Sequence, residues 1–373
     1  MPAAPLDTST AREIAAALEA EAVGLGFSRM GIAPAVETPR HERFRGWLAE
    51  GLGGVMTGWL SRHEPIRRHP SGLLDGVRSV VMLATDHSTV AADWRAPDEP
   101  GRGKVARYAW GDDYHDLLRS RVNALSKWLG DRVPGSRCRG VVDSAPIAER
   151  EFARLAGLGW FGKNTMLISP EAGSWFFLTA LLTDVELPAS TPIETDHCGT
   201  CTACLDACPT GALVAPRVLD ARKCTSSLTI EDHGPIDESL RGKLDGWIFG
   251  CDICQEVCPW NRHAPVSAEP SLTPRGGEKS LGLADLLSLD DEAFRKRFNG
   301  SPIARAKRRG LARSAAIALG NAPDAAAAEP LGRALLDPEP VVREAAAWAI
   351  SRWIDLGFMA DWARKILNQI ADP

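Results

Sequence analysis

No apolar run in this 373-residue chain approaches the roughly 20 residues that a membrane-spanning helix needs. The strongest, WFFLTALL from Trp175, is far too short. The N-terminal stretch MPAAPLDTSTAREIAAALEAE is acidic and has no basic n-region leading into an apolar core, so no secretory signal is expected. Excess positive charge is missing too. At a net charge of −5, any surface for nucleic acid has to be local. These absences point away from an exported or membrane-bound protein. Composition is that of an ordinary globular protein, and the length suits two or three domains.

Cysteine, by contrast, is concentrated. Cys198, Cys201, Cys204 and Cys208 read C-x2-C-x2-C-x3-C, followed at once by Pro209. Cys251, Cys254 and Cys258 repeat C-x2-C-x3-C before Pro259, and Cys224 is free to complete a second set of four. This is the ferredoxin pattern for two [4Fe–4S] clusters, in which the fourth cysteine of each run ligates the other cluster. The expected sets are therefore Cys198, Cys201, Cys204 and Cys258 on one cluster, and Cys208, Cys224, Cys251 and Cys254 on the other. Structural zinc also uses C-x2-C pairs, but it does not call for the third cysteine or the C-P. Disulfides do not suit a chain without a secretory signal. A reducing, cytoplasmic setting follows. Cys138 is left over, as a small buried hydrophobe.

Before the cysteines, the pattern mixes strands and helices. Thr10 to Glu13 spells a capping box, and Gly24 and Gly26 end the helix it opens. A basic cluster, Arg62, His63, Arg67, Arg68 and His69, is either a solvated turn or an anion contact. Ser79 to Ala84 reads as a buried strand, Gly140 to Val142 as a short one ending at Asp143, and Trp175 to Val185 as a third. Residues 264–280, rich in Pro, Ser and Gly, read as a linker. In the alanine-rich remainder, Leu311–Gly320 aligns with Val342–Ser351 at a period of 31, as in HEAT-like helical repeats. The expected class is an α/β (α+β) domain over 1–187, a ferredoxin-like two-cluster domain over 188–270 and an α-helical HEAT-like unit over 271–373.

Two motifs mislead. Gly157 to Gly162 matches G-x-G-x-x-G, but a helical segment precedes it where a strand is required. It also falls short of a P-loop, because Asn164 follows Lys163 where Ser or Thr should hold Mg²⁺. Its glycines are expected to let the backbone approach a bulky ligand. Asp113-Tyr-His115 begins a D-x-H-x-x-G cobalamin motif, but residue 118 is Leu, so His115 reads as a helix-surface or structural histidine.

Several stretches together resemble the epoxyqueuosine reductase family: Arg107–His115, Val142–Arg150, Ala156–Asn164, Gly173–Phe177, Ser227–Glu231, Cys258–Asn261 and both cysteine runs. The resemblance covers nearly the whole chain. It implies a cobalamin-dependent iron–sulfur reductase, related to reductive dehalogenases, that removes the epoxide oxygen of epoxyqueuosine at the wobble position of tRNA to give queuosine. The N-terminal half would bind cobalamin with no histidine on cobalt. Ala109, Asp143, Lys163, Asn164, Leu167, Leu178 and Ser226 are its implied contacts. Turning an epoxide into an alkene takes two electrons and protons for the departing oxygen. Asp143 is the expected proton donor, with a pKa raised by burial against the cofactor; the competing role is the N-cap of a helix from about Ala145.

Arg295, Lys296, Arg297, Arg305, Lys307, Arg308, Arg309 and Arg313 follow one another with no acidic residue between them. In an acidic chain this is the expected tRNA phosphate stripe, with Arg305, Lys307, Arg308, Arg309 and Arg313 at its centre. An external electron donor and a monomeric state complete the expectation. The competing readings are a reductive dehalogenase, an iron–sulfur electron-transfer module and a nucleic-acid-binding protein with structural clusters.

Overall fold

In the computed structural model, which describes residues 6–371, the apolar run from Ser79 is the strand Ser79–Asp86. Nearly all of it is buried, so it needs cover on both faces. It pairs antiparallel with Arg29–Pro34 on one side and Phe176–Thr183 on the other, and Cys138–Val142 completes the sheet. Strand periodicity sorts the side chains. Val81, Leu83, Leu181 and Val142 meet Leu18, Ala22, Leu118, Val122 and Leu125 from the helices Thr8–Gly24 and Tyr114–Arg132. Val80, Met82, Ala84, Ala180 and Leu182 meet Phe152 and Ala153 from the helix Glu149–Leu155. Each fully buried Leu or Val contributes about 1.5–3 kcal/mol. Because the pairing is antiparallel throughout, this layer is the α+β variant of the expected class.

Some local expectations shift. Asp7, not Thr10, caps the first helix: its carboxylate accepts the Ser9 and Thr10 amides at 2.9 and 3.0 Å. The first five residues of that stretch lie outside the described residues. Asp143 caps nothing, since the next helix starts at Glu149 with Ala148 before it.

The expected domain boundaries are crossed. Arg102–Val105 pairs parallel with Trp247–Phe249 from the cysteine region and antiparallel with Ser280–Gly282 beyond it. Residues 264–280 are laced down rather than free. Ser267 donates to Ser88 at 2.7 Å, Asp112 to Ser271 at 2.7 Å and Arg275 to Trp110 at 3.0 Å, all through backbone amides. One core runs from Val105 and Trp110 through Ile248 and Phe249 into the C-terminal helices.

There, the two copies of the 31-residue pattern form the helices Lys307–Asn321 and Pro340–Asp355, which pack on each other. Small residues permit the close approach. A β-carbon on Gly320 would sit 3.0 Å from the Ala349 Cα. The Trp353 indole donates to the Leu319 carbonyl at 2.7 Å.

The basic stripe is not a continuous surface. The Arg308 side chain is 5% exposed and grips Asp337 with two 2.8 Å hydrogen bonds. Arg313 is wholly buried and donates to the carbonyls of Leu228, Asp232 and Gly234. Both are internal connectors, so neither is available to phosphate. Their partners lie about 30 and 80 residues away, beyond the reach of a charge pattern. Arg308→Ala should leave Asp337 buried and unpaired. A destabilisation of about 3–5 kcal/mol is expected, measured by denaturant unfolding.

Candidate active site and metal centres

Four thiols converge on one cavity of about 80 Å³. Cys198, Cys201, Cys204 and Cys258 line it together with Lys163, Asn164, His197 and Trp260. Burial, then the neighbouring Cys258 and Cys198, push the Cys204 thiol up to about 11. The other four thiols form a second group. Cys254 is raised by burial, then by Cys224, by Cys204 of the first group and by Cys208, and Cys251 by burial, Cys254 and Cys224, so the two groups are neighbours. In the first group, Cys258 of the second run stands beside the three leading cysteines of the first run. Among the described residues, no three His, Cys, Asp or Glu side chains converge closely enough for a single metal ion. Thiols arranged around a space rather than on a point suit a cubane better than zinc.

The glycine-rich segment ties this unit to the main sheet. Strand Trp160–Phe161 turns back as Leu167–Ile168, so no helix follows and neither nucleotide motif is present. The glycines admit the protein's own backbone rather than a bulky ligand: a β-carbon on Gly159 would strike the Ile168 carbonyl. Lys163 donates to the carbonyls of Gly199 and Cys201 at 2.7 and 2.8 Å, and Asn164 to that of Cys254 at 3.2 Å. Nearby, Asn261 accepts the Ser174 amide at 2.6 Å and donates to Ser174 Oγ and the Gln255 carbonyl. This explains the pairing of Gly-Ser-Trp with Cys-Pro-Trp-Asn, because any side chain at Gly173 would collide with Asn261.

Asp143 stands where the sheet ends. Val142 pairs with Thr179, so the next residue along lies beside Leu178. Its φ is +44°, a strained conformation for a non-glycine residue. Its Oδ2 accepts from Tyr114 Oη at 3.1 Å and from His115 Nε2 at 3.1 Å. Oδ1 has no hydrogen-bond partner among the described residues. His115 Nδ1 is 2.7 Å from Asp113, whose carboxylate also caps the helix. Tyr114, one of only two tyrosines in the chain, stacks on Phe177 at 4.0 Å. The other, Tyr108, meets both rings edge-on.

The charges of this site differ from the expectation. The His115 hydrogen bond holds the Asp143 carboxyl below its ordinary value against the effect of burial. Burial disfavours charge on His115, but the hydrogen bonds from Asp113 and Asp143 outweigh it and push the imidazole up to about 9. Burial, then the Asp143 charge, push Glu149 up to about 8 while its Oε1 accepts the Asp143 amide at 3.0 Å. At neutral pH the group is therefore Asp143 carboxylate, His115 imidazolium and neutral Glu149. The sequence reading missed Tyr114, His115 and Glu149. The D-x-H match pointed at His115, but its partner lies 28 residues away. Both ring nitrogens are committed, so His115 has none left for cobalt.

Arg150 carries the connection to the thiols. Its guanidinium lies within charge reach of Glu149, Asp143 and Cys254, and it donates to the Thr165 carbonyl at 2.7 Å. From the C-terminal layer, Arg305 pairs with Glu231 at 2.8 Å and feels the Asp143 charge. Of the cofactor contacts implied earlier, Leu178 and Ser226 are half-buried and Asp143 is exposed. Ala109 and Leu167 are buried. Lys163 and Asn164 spend their side chains on the cysteine loops. The half-buried Tyr108, Phe177 and Leu178 provide an apolar wall, with the Tyr108 ring edge-on to Phe177, one side chain from Asp143 and linked through Arg150 to the second thiol group. Such a wall suits an apolar cofactor face.

Residues 197–261 match the 4Fe-4S double cluster binding domain, and residues 67–144 match "Epoxyqueuosine reductase QueG, DUF1730". The epoxyqueuosine reductase of Xanthomonas campestris pv. campestris is 42% identical, over 88% of this chain and 92% of its own length. That of Escherichia coli K12 is 38% identical, over 94% and 92%. A crystal structure of epoxyqueuosine reductase with an epoxyqueuosine-modified tRNA-Tyr stem loop superposes with a TM-score of 0.85 at 32% identity, covering 95% of this chain and 94% of that one. A Bacillus subtilis structure with its catalytic aspartate loop swung out of the active site gives 0.83 at 32% identity, covering 91% and 90%.

Cys258→Ser should damage the cluster shared with Cys198, Cys201 and Cys204 and spare the one at Cys251 and Cys254. Electron paramagnetic resonance with iron counting checks this; loss of the other cluster alone would overturn the crossed assignment.

Proposed function

The chain belongs to the epoxyqueuosine reductase family, and from that premise we propose how its residues divide the work. The reaction is the two-electron reduction of epoxyqueuosine in tRNA to queuosine, with two [4Fe–4S] clusters and cobalamin as cofactors. The observation that supports the division is Arg150, within charge reach of both the Asp143 carboxylate and the Cys254 thiol. It puts proton delivery and electron delivery on either side of one apolar wall.

When bound, cobalamin supplies nucleophilic chemistry at carbon, and the clusters supply electrons singly. The crossed cysteine sets are the cluster ligands. Residues 1–187 form the cobalamin-binding domain, with Asp143, Leu178 and Ser226 lining its cofactor face. Ala109, Lys163, Asn164 and Leu167 stand behind that face and contribute by backbone or by packing. Tyr114 and His115 orient Asp143, leaving Oδ1 to face the opening oxygen. The Asp143 backbone is strained, and the residues between Val142 and Glu149 are irregular. That suits a mobile acid loop of the kind seen swung out in the Bacillus subtilis relative. The C-terminal helices are a HEAT-like unit that carries tRNA through Arg305, Lys307 and Arg309. The protein works as a cytoplasmic monomer, reduced by an external donor.

Asp143→Asn keeps the shape but cannot give an acidic proton. It should load both cofactors and bind tRNA, yet lose roughly 10²-fold or more in turnover, as is usual for a general acid. Single-turnover analysis of tRNA nucleosides by mass spectrometry measures this. Near wild-type turnover would remove Asp143 from the chemistry.

Lys307 is exposed and Arg309 half-buried at the head of the helix, whereas Arg308 between them is internal. The double variant Lys307→Ala/Arg309→Ala should therefore weaken tRNA binding without unfolding the chain. The slope of log affinity against log salt should fall by about 0.7–0.9 for each phosphate that the variant no longer neutralises. Fluorescence anisotropy across a salt series reads this directly, and an unchanged slope would return both residues to ordinary surface.

A further inference from the structure

A group that is to protonate a departing oxygen has to hold a proton, and Asp143 is poised as a carboxylate. Two donors reach its Oδ2, Tyr114 Oη and His115 Nε2, each at 3.1 Å, and burial with the Asp143 charge holds the Tyr114 phenol back from release. His115 Nε2 is 3.1 Å from Asp143 Oδ2, and His115 Nδ1 is anchored 2.7 Å from Asp113. We propose that Asp143 passes on a proton that belongs to His115: the Asp113–His115–Asp143 chain is a relay in which the histidine is the proton store and the aspartate the delivering arm. The proposal rests on Asp143 being the donor to the substrate and adds the source of what it donates.

The geometry favours this direction of flow. Asp113 fixes the imidazole from behind, by the same carboxylate that caps the helix at the His115 amide. Stacking of Tyr114 on Phe177 keeps its hydroxyl on Asp143 Oδ2, so the carboxylate is oriented by two donors on one oxygen. The other oxygen is free. The His115 side chain is 26% exposed, enough for solvent to recharge it, and that of Asp143 is 58% exposed toward the open site.

The step balances. The Nε2–H bond of His115 breaks first and its proton goes to Asp143 Oδ2, giving the neutral carboxyl; the carboxyl then turns about its Cβ–Cγ bond, and as the carbon–oxygen bond opens the departing oxygen takes that proton. Asp143 is a carboxylate before and after. His115 goes from imidazolium to neutral imidazole and regains its proton from water. Two protons leave with the oxygen as water, so the relay can run twice in one reduction. The electrons are those of the established reaction.

Other charged groups face this chain. Glu149 and Arg150 approach from the helix after Asp143, Arg67 from the segment before Pro70, Arg119 from the relay's own helix, and Tyr108, Glu231 and Arg305 from the cluster side. The neutral Glu149 carboxyl binds the Asp143 amide and makes no hydrogen bond to its carboxylate. It is the rival proton source.

The relay loses its proton only when His115 does, so activity should persist through neutral pH and fall as pH rises through about 9. The test is the pH dependence of single-turnover epoxyqueuosine reduction by the cofactor-loaded enzyme. His115→Gln keeps hydrogen bonding but stores no mobile proton. Its rate should fall about tenfold per pH unit from below pH 6, because only the acid form of Asp143 remains to react. Asp113→Asn still caps the helix and should move the basic limb to lower pH by a smaller amount. A second readout is independent of turnover. The histidine ¹⁵N resonance assigned by its loss in His115→Gln should titrate near 9 in the wild type, and lower in Asp143→Asn. If His115→Gln keeps the wild-type limb, or that resonance titrates at an ordinary histidine value, the relay is wrong. A limb near 8 in His115→Gln would assign the store to Glu149. Neither result would touch Asp143 as donor, which the Asp143→Asn rate decides separately. Should His115→Gln not load its cofactors, the Asp113→Asn limb and the wild-type titration still decide.

Discussion

Eight thiols have to be held around two centres by chain segments that are not contiguous. Burial alone disfavours the thiolate form that a cluster requires, as the raised values at Cys204, Cys251 and Cys254 show. The protein must therefore position these thiols before metal can stabilise them. Much of the surrounding structure acts as a clamp on that unit. Lys163 and Asn164 hold the two cysteine loops by their carbonyls, Asn261 locks the second run to Gly173 and Ser174, and Arg313 fastens the segment after Cys224 to the C-terminal helices. None of these bonds is to sulfur. They fix the backbone from which the sulfurs are presented.

Beside that clamp lies a site of a different character. The thiol region is lined by cysteines and steadied through backbone carbonyls, with Cys201 at its exposed rim. The Asp143 region is open and rich in ionisable side chains. Arg150 stands between them with a permanent positive charge. In the proposed division of work, electrons come from the thiol side and protons from the Asp143 side, with the rings of Tyr108 and Phe177 between them. Such separation keeps reducing equivalents from being lost to solvent protons, a general need when a strong reductant works near an acid.

How much of this was legible depended on range. The strands at Ser79 and Phe176 were readable because burial imposes a local apolar pattern. The double-cluster segment was readable because cubane geometry imposes a spacing on neighbouring cysteines. Where meaning came from a distant partner, local reading failed. Arg308 and Arg313 looked like surface charge until Asp337 and the carbonyls of 228–234 were found beside them. His115 looked structural without Asp143. Residues 264–280 have a linker's composition, yet the backbone bonds of Ser267, Ser271 and Arg275 to the first domain make them a strap. The charge of Asp143 was misjudged for the same reason: burial was foreseen, but not the imidazole that outweighs it.

The strand Arg102–Val105 bears on how the chain is made. Its two sheet partners are Trp247–Phe249 and Ser280–Gly282, so during synthesis one edge stays bare until about 140 more residues have been added and the other until about 180. At about 5–20 residues per second that is roughly ten to forty seconds. For most of that time the strand and the apolar faces of Val105 and Trp110 are uncovered, while the N-terminal sheet itself first waits for Cys138–Val142 and Phe176–Thr183, and the bare edges are open to strand addition by other nascent chains. The cysteine segment emerges inside the same interval. A ribosome that stalls between the second cysteine run and Ser280 would leave a chain with every thiol in place and one sheet edge still open. Cluster insertion and completion of the fold are thus tied to one stretch of translation, and the supply of iron and sulfide during it bears on how much of the protein escapes aggregation.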